Sequence, residues 1–215
     1  MRLPAKAGLH DEIIRVSIEI GAEAGEEGLT MRAIASRLGM SSTGIYQHFD
    51  SKASILREIR FHGVGMLLEA LTRGTAGVAA DGVASSDGAT RAPEHQLRSM
   101  AHAYLAFARA NPWLYRLLFD EEELDWSTLS SEEMMRALGP IVAARTTIAA
   151  GIERGSLRSD LDVDHSALLI WASLHGLASL LLSGRLSEGH VAFPVSDLGR
   201  FVEAFVDNLM RSFAP

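Results

Sequence analysis

The sequence of 215 residues contains no cysteine, which excludes a disulfide framework, a thiolate metal site and a cysteine nucleophile. Proline and tyrosine are scarce as well, with six and three residues, while 47% of the residues are hydrophobic and 22% are charged. This balance is typical of a mostly helical globular protein whose length supports a substantial core. The lack of cysteine suits a cytoplasmic location.

Uninterrupted hydrophobic runs are also short. The N-terminal segment MRLPAKAGLHDE has no apolar centre and therefore does not resemble a secretory signal. The longest apolar stretch, residues 167–182, is interrupted by serine, histidine and glycine and is shorter than the roughly 18 residues of a membrane span. We therefore expect a buried helix there and no membrane partner.

Common motifs of catalytic and metal sites are missing. The sequence contains no GxSxG, Walker A, GxGxxG or HExxH pattern, and its eight histidines are scattered. We therefore expect no metal, no cofactor and no enzymatic activity. An enzyme with an unusual arrangement of groups, such as a helical hydrolase, is the alternative class, but it would leave the pattern at residues 30–52 unexplained.

Residues 30–52, TMRAIASRLGMSSTGIYQHFDSK, combine two short helical patterns with a glycine turn. Thr30 is a favourable N-cap, and the apolar residues between Ala33 and Leu38 form one stripe. Gly39 suits the left-handed conformation that ends a helix. The first helix is therefore predicted to end by Leu38.

The second helix is predicted over residues 42–48, with Ser41 or Ser42 as its cap and with Ile45 and Phe49 as its buried face. Its other face is polar but uncharged. Hydroxyls, an amide and a phenol bond phosphates and base edges, whereas a face that served only solubility would more often carry Glu and Lys. The pattern therefore predicts a helix-turn-helix that binds DNA. The residues of the polar face are Ser42, Thr43, Gly44, Tyr46, Gln47 and His48.

The net charge of the whole chain has to be compared with that of its segments before it is used as an argument about DNA binding. A net charge of −7 and a pI of about 5.6 argue against nucleic-acid binding when they are taken over the whole chain. Residues 29–62, however, contain five Lys and Arg residues against two acidic residues and carry a net charge of +3. The charge pattern thus permits DNA binding by this segment.

Helical periodicity and cap residues organise the rest of the chain. An opening helix is predicted to end at residues 25–28, and Ser51 can cap a connector helix. A segment rich in Gly, Ala, Ser and Thr, about residues 74–93, is predicted to be a flexible loop. Later helices are predicted to open at Asn111-Pro112, at a capping box from Ser130 that leads to about Arg154, at Asp164 and at Ser196.

Two parts of the chain resemble the TetR family of transcriptional regulators. Residues 9–62 resemble the DNA-binding domain, most specifically in Gly44-Ile45-Tyr46, His48-Phe49 and Ser51-Lys52. Met40 and Ile45 stand where the family often has Val and Leu. Residues 95–185 resemble the subgroup with a Trp-x-x-x-His-Gly signature, here Trp171 to Gly176, together with the stretch ARANPWLYRLLFDEE.

The resemblance implies an all-α fold. A three-helix DNA-binding head over residues 1–62, with its motif at about 30–49, would be joined by a connector helix to a larger helical ligand-binding and dimerisation body over residues 63–215. A homodimer would form through helices at about 165–183 and 197–213 and bind a near-palindromic operator in double-stranded DNA. The implied function is a repressor that a small apolar ligand releases from DNA, and a constitutive DNA-binding protein is the alternative.

Candidate roles in DNA binding follow from side-chain chemistry. Gln47 is the best candidate for direct readout because its amide can pair with adenine. Gly44 is unfavourable inside a helix, which suggests close approach either to DNA or to the first helix of the motif. Tyr46 could instead be packed, and Ser42 could act only as a cap. The base-reading candidates are Ser42, Thr43, Gly44 and Gln47; the phosphate-binding candidates are Thr30, Arg32, Tyr46, His48 and Lys52; Ser41 lies beside them.

The C-terminal part is rich in aromatic residues that could line a large apolar ligand pocket. Trp171 and His175 lie four residues apart and therefore on one helical face. They could line the pocket, pack in the core or lie at the subunit interface, and packing or the interface is favoured because apolar helical stripes are usually core. The pocket candidates are Tyr104, Phe107, Trp113, Tyr115, Phe119, Trp126, Trp171 and His175.

Overall fold

The computed structural model describes residues 6–73, 92–119 and 125–215, with the side chains of residues 6 and 7 left out. Apart from one isolated bridge between Ser187 and Pro194, these residues form helices and connections, which confirms the predicted all-α fold. The helices are α1 (Lys6–Gly28), α2 (Met31–Leu38), α3 (Ser42–Tyr46), α4 (Lys52–Arg73), α5 (Pro93–Ala110), α6 (Pro112–Phe119), α7 (Ser131–Glu153), α8 (Val163–Leu182) and α9 (Leu198–Arg211). Of the predicted flexible loop at about residues 74–93, residues 74–91 lie outside the described part of the chain.

The chain divides into two compact units, of which the first comprises Met1–Gly65 and Asn111–Ala137. Helices α1, α2 and α3 pack together as the predicted three-helix head, and α6 packs against α1. Apolar side chains from these helices and from the start of α4 are removed from solvent, which supplies the main stabilisation of this unit. They include Ile13, Val16, Ile20, Ile34, Ile45, Ile55, Ile59, Leu114, Tyr115 and Leu117.

The second unit comprises Met66–Ala110 and Leu138–Pro215. Its centre is α5, which packs against both α8 and α9. The buried face of α5 consists mostly of large side chains, with Ala101 and Ala108 as the small ones at which a neighbouring helix can approach closely. The buried residues of this unit include Leu97, Met100, Ala101, Tyr104, Leu105, Ala108, Ile148, Ala167, Ile170, Leu174 and Val206.

Two predicted helix caps are wrong by one or two residues. Asp162, rather than Asp164, caps α8 by accepting a hydrogen bond from the His165 N–H at 2.7 Å. Asp197, rather than Ser196, caps α9. In both places a second residue of cap type stands nearby, and the carboxylate that reaches the third N–H of the helix becomes the cap.

Other local predictions are confirmed or need only a small change. Ser130 and Glu133 form the predicted capping box, with hydrogen bonds of 2.8 and 3.2 Å between each side chain and the other backbone N–H. Pro112 begins α6 as predicted. Gly25 has φ of 69° and interrupts α1, and the helical structure that resumes after it ends at Gly28, within the predicted residues 25–28.

Helix α8 is buried on one face only, so the prediction of a buried helix is half wrong. An 18-residue window of this 20-residue helix has a mean hydropathy of 1.5, enough by length and composition for a membrane span, yet only 33% of that window is buried. Leu168 and Leu169 are 55% and 53% exposed. The apolar composition of α8 therefore exceeds what packing against α5 uses.

Candidate DNA interface

The turn between α2 and α3 is built from local hydrogen bonds that the sequence specifies. The Thr30 hydroxyl oxygen accepts a bond from the Ala33 N–H at 3.1 Å and begins α2. Gly39 adopts φ of 67° and ψ of 31°, a left-handed conformation that favours glycine, and the following Met40 N–H bonds to the Ala35 carbonyl at 2.9 Å. Ser41, one of the two predicted caps, accepts from the Gly44 N–H at 3.3 Å.

Helix α3 is anchored by its apolar side. Ile45 is fully buried and Phe49 is 4% exposed, as predicted, and the His10 ring from α1 stacks on Phe49 with 4.7 Å between ring centroids. Thr43, Tyr46 and Gln47 are exposed. Tyr46 is 52% exposed, so its ring is not packed in the core. A rigid anchor thus presents uncharged polar groups to solvent.

The second helix of the motif is shorter than predicted. It ends at Tyr46, and Gln47 and His48 follow it in a tight turn in which the His48 N–H bonds to the Ile45 carbonyl at 2.9 Å. The tightening lets Phe49 turn back into the core four residues after Ile45. Gln47 keeps helical backbone angles, with φ of −73° and ψ of −14°.

The predicted close approach of Gly44 to the first helix of the motif is not seen, because a Cβ at Gly44 would meet no atom of α2 within 4 Å. A Cβ at this position would come within 2.6 Å of the Met40 side-chain methyl and 3.8 Å of the Ser41 hydroxyl. The methyl is the end of a flexible side chain and can move aside. Crowding within the head therefore gives only a weak reason for glycine at this position.

Lys52, at the start of α4, bonds to the end of α1. Its Nζ donates to the Glu26 carbonyl at 2.6 Å and lies 3.2 Å from the Glu26 carboxylate. The two residues are 26 positions apart in the chain. The lysine that we predicted to bind phosphate is thus already paired within the head.

Arg37 is paired in the same way. Its two terminal nitrogens donate to both carboxylate oxygens of Glu23 at 3.2 and 2.7 Å, and these bonds lower the pKa of Glu23 and raise that of Arg37. The exposed Arg32 has no ion-pair partner among residues 6–73, 92–119 and 125–215. The charge count over residues 29–62 did not reveal that Lys52 and Arg37 are paired, because the neutralising carboxylates lie on α1, outside that range.

Sequence comparison agrees with this architecture over both units. Residues 13–59 match the family described as bacterial regulatory proteins, tetR family, and residues 97–209 match the family described as tetracyclin repressor-like, C-terminal domain. The chain belongs to the TetR family of transcriptional regulators. It is therefore a DNA-binding regulator, and the matching domains are those of regulators and not of enzymes.

Individual relatives have low sequence identity to this chain, but the similarity covers most of its length. The uncharacterized HTH-type transcriptional regulator Rv0681 of Mycobacterium tuberculosis is 23% identical over 189 residues, covering 86% of this chain and 75% of that protein. The HTH-type transcriptional repressor KstR2 of Rhodococcus jostii is 27% identical over 159 residues, covering 74% and 72%. A solved structure of a protein with unknown function from Rhodococcus sp. RHA1 has a TM-score of 0.76 at 20% identity, covering 96% and 95%, which reflects the shared fold.

The aromatic candidates of the C-terminal TetR domain are distributed over both units. Within the first unit, the Tyr115 and Phe119 rings lie 4.9 Å apart, and Trp126 is 40% exposed in a short 3-10 turn. Within the second unit, Trp171 stacks on His175 with 5.4 Å between ring centroids and is 38% exposed. Tyr104 and Phe107 are buried in α5, and Trp113 packs against Gly21 of α1.

Two surface clefts lie on the second unit. One of about 300 Å³ is lined by Ser173 of α8 and by residues of α9, and one of about 270 Å³ is lined by residues of α5, α8 and α9. Neither is lined by the eight aromatic and histidine candidates. The α9 residues of the first cleft are Phe201, Ala204, Phe205, Asn208 and Leu209.

Proposed function

We propose that this TetR-family chain is a cytoplasmic homodimeric repressor that binds a near-palindromic operator and leaves it when a small apolar ligand binds. The observation that carries the DNA-binding surface is the exposed, uncharged polar face presented by Thr43, Tyr46 and Gln47 above the buried Ile45. Such groups bond base edges and phosphates. We assign base contacts to Ser42, Thr43, Gly44 and Gln47, and phosphate contacts to Thr30, Arg32, Tyr46, His48 and Lys52, with Ser41 beside them.

The proposed dimer interface is the outer face of α8 and α9. Leu168, Leu169, Trp171 and Phe201 are each at least 38% exposed on these two helices. Ser173 of α8 and Phe201 of α9 line one surface cleft, so the two helices share this side of the unit, and exposed apolar side chains there favour a protein–protein interface. A second copy would bury it in a four-helix bundle and set the spacing of the two heads. This assigns Trp171 and its stacked partner His175 to the interface instead of a pocket.

The proposed division of labour follows the predicted domains, with residues 1–62 for DNA binding and 63–215 for regulation and dimerisation. Repression is supported by the relative KstR2, which is named as a transcriptional repressor. An apolar ligand is supported by the aromatic side chains Tyr104 and Phe107 of α5. The Trp-His-Gly subgroup remains a prediction.

The decisive experiment is a titration of the protein against labelled DNA from upstream of its own gene, followed by fluorescence anisotropy at low and moderate salt. A scrambled duplex of equal length is the control. Tight, selective binding that weakens with salt is the expected result. Equal, weak binding to both duplexes would place the operator elsewhere, whereas no binding at low salt would contradict the DNA-binding surface.

Release by a ligand is tested in the same assay with a panel of apolar small molecules. A ligand that prefers the conformation of the free protein lowers DNA affinity by the ratio of its affinities for the two conformations. We expect at least one molecule to weaken DNA binding and to raise the melting temperature. If none shifts either quantity, the constitutive DNA-binding protein becomes the better description.

A further inference from the structure

We propose that Glu26 competes with DNA phosphate for Lys52 and thereby limits the affinity of the head for DNA. This inference rests on the proposed function, because it assigns Lys52 a phosphate partner when DNA is bound. It adds a residue outside the helix-turn-helix, on α1, that would tune binding strength without touching DNA.

The contacts of Lys52 are of two kinds. Its Nζ donates to the Glu26 backbone carbonyl at 2.6 Å, and the Glu26 carboxylate lies 3.2 Å away. The carbonyl belongs to the short turn that follows Gly25, where it also accepts the Leu29 N–H at 3.2 Å. The carbonyl positions the ammonium, and the carboxylate neutralises it.

A phosphate can replace the carboxylate without breaking the positioning bond. An ammonium group has three N–H donors, so Lys52 can keep its bond to the Glu26 carbonyl while one or two donors turn to DNA. Only the carboxylate has to be given up. The competition is therefore between two anions for one cation, with the lysine held in place throughout.

The expected size of the effect follows from exposure. The side chains of Lys52 and Glu26 are 36% and 41% exposed, so solvent screens their attraction. Ion pairs of this kind change equilibria by about two- to five-fold. DNA therefore still binds, but with an affinity reduced by about that factor.

The same exchange changes the salt dependence. Each phosphate that a lysine neutralises releases counterions and contributes about −0.9 to the slope of log K against log salt concentration. When Glu26 loses Lys52, its carboxylate attracts a cation from solution, which offsets part of that release. Without this carboxylate, we expect a steeper slope, by up to about one unit.

Glu27 supplies a matched control. It is the next residue, is exposed and carries the same charge, and it makes no hydrogen bond or ion pair within the described part of the chain. E26Q and E27Q change the net charge equally and at adjacent positions of the chain. Only E26Q removes the competing carboxylate.

The test compares wild type, E26Q, E27Q, K52M and E26Q/K52M by anisotropy, using the upstream duplex and a random duplex at several salt concentrations. We expect E26Q to tighten binding to both duplexes two- to five-fold beyond E27Q. In the K52M background, the E26Q change should give no more than the E27Q effect. Melting temperatures establish that each variant is folded.

Two results would overturn the inference while leaving the proposed function intact. In the first, E26Q and E27Q tighten binding equally, or the E26Q effect persists in K52M. In the second, E26Q weakens binding, which would make the carboxylate a support that aims Lys52 at DNA. Absence of DNA binding by wild type and all variants at low salt would overturn the proposed function and this inference together.

Discussion

The guanidinium of Arg57 on α4 donates to Oε1 of Glu133 in the first turn of α7 at 2.7 Å. The other carboxylate oxygen accepts the Ser130 N–H at 2.8 Å, so one side chain completes a helix cap and an ion pair. The Ser130 backbone bond and the Arg57 bond lower the pKa of Glu133 to about 2. Phe61 lies under both Arg57 and Arg136, whose guanidinium carbons are 5.5 and 5.0 Å from its ring centroid.

The lowered pKa of Glu133 predicts a pH-dependent stability. The ordinary pKa of 4.5 applies when the chain is unfolded, so the stabilisation is fully present above pH 4.5 and is lost as the pH falls toward about 2. We expect E133Q to melt below wild type at pH 7, with the difference shrinking below pH 4.5. Thermal unfolding between pH 7 and pH 3 measures this, and E132Q, in the same helical turn, is the control. Parallel pH curves for wild type and E133Q would contradict the assigned contacts.

Gly21 and Gly65 predict opposite responses to alanine. A Cβ at Gly21 would lie 2.3 Å from the Trp113 ring, whereas a Cβ at Gly65 meets nothing within 4 Å. We expect G21A to lower the free energy of unfolding by about 1–3 kcal/mol through overpacking. G65A should raise it by about 0.5–1 kcal/mol, because alanine loses less backbone entropy in a helix. Denaturant unfolding measures both, and a neutral G21A would show that α1 and α6 can separate slightly at no cost.

Gln47 and Lys52 predict different kinds of loss in DNA binding. Q47A should reduce discrimination at one base pair of each half-site by about 1–3 kcal/mol, because the amide reads a base edge. K52M should weaken binding to every duplex alike, since it removes a phosphate contact. Anisotropy with a set of single-base operator variants distinguishes the two patterns. A uniform loss with Q47A would instead make Gln47 a phosphate ligand.

If the exposed face of α8 is the dimer interface, a single charged substitution on it should dissociate the dimer. L168E would bury a carboxylate without a partner in the proposed interface, and an uncompensated buried charge costs about 3–5 kcal/mol. We expect dissociation to monomers in sedimentation velocity, together with loss of operator binding. V142E is the matched control, because Val142 is 49% exposed on α7 and outside the proposed face. If L168E remained dimeric, the interface would have to lie elsewhere.

Local chemistry explains why several helix boundaries could be predicted from sequence. Thr30, Gly39 and the Ser130 capping box act over three or four residues, so the sequence contains both partners of each contact. The choice between Asp162 and Asp164 depends on where the buried face of α8 begins, which tertiary packing decides. Spacing alone suits either residue.

Contacts between residues that are far apart in the sequence could not be predicted from it. The pairing of Lys52 with Glu26 joins two helices and was not suggested by a charge count confined to residues 29–62, because Glu26 lies outside that range. The apolar composition of α8 does not distinguish a side that packs on α5 from a side such as Leu168 that remains exposed. The sequence therefore predicted the elements better than their partners.

The internal pairing of Lys52 and Arg37 also affects how fast the protein finds DNA. Long-range attraction between a protein and DNA raises association rates only when the positive charges of the binding surface act at a distance. Here carboxylates of α1 cancel two of these charges, and the whole chain carries −7. Association with the operator should therefore proceed near the unsteered rate of about 10⁵–10⁶ M⁻¹s⁻¹. Occupancy is then governed by residence time, and an effector would act mainly by speeding departure.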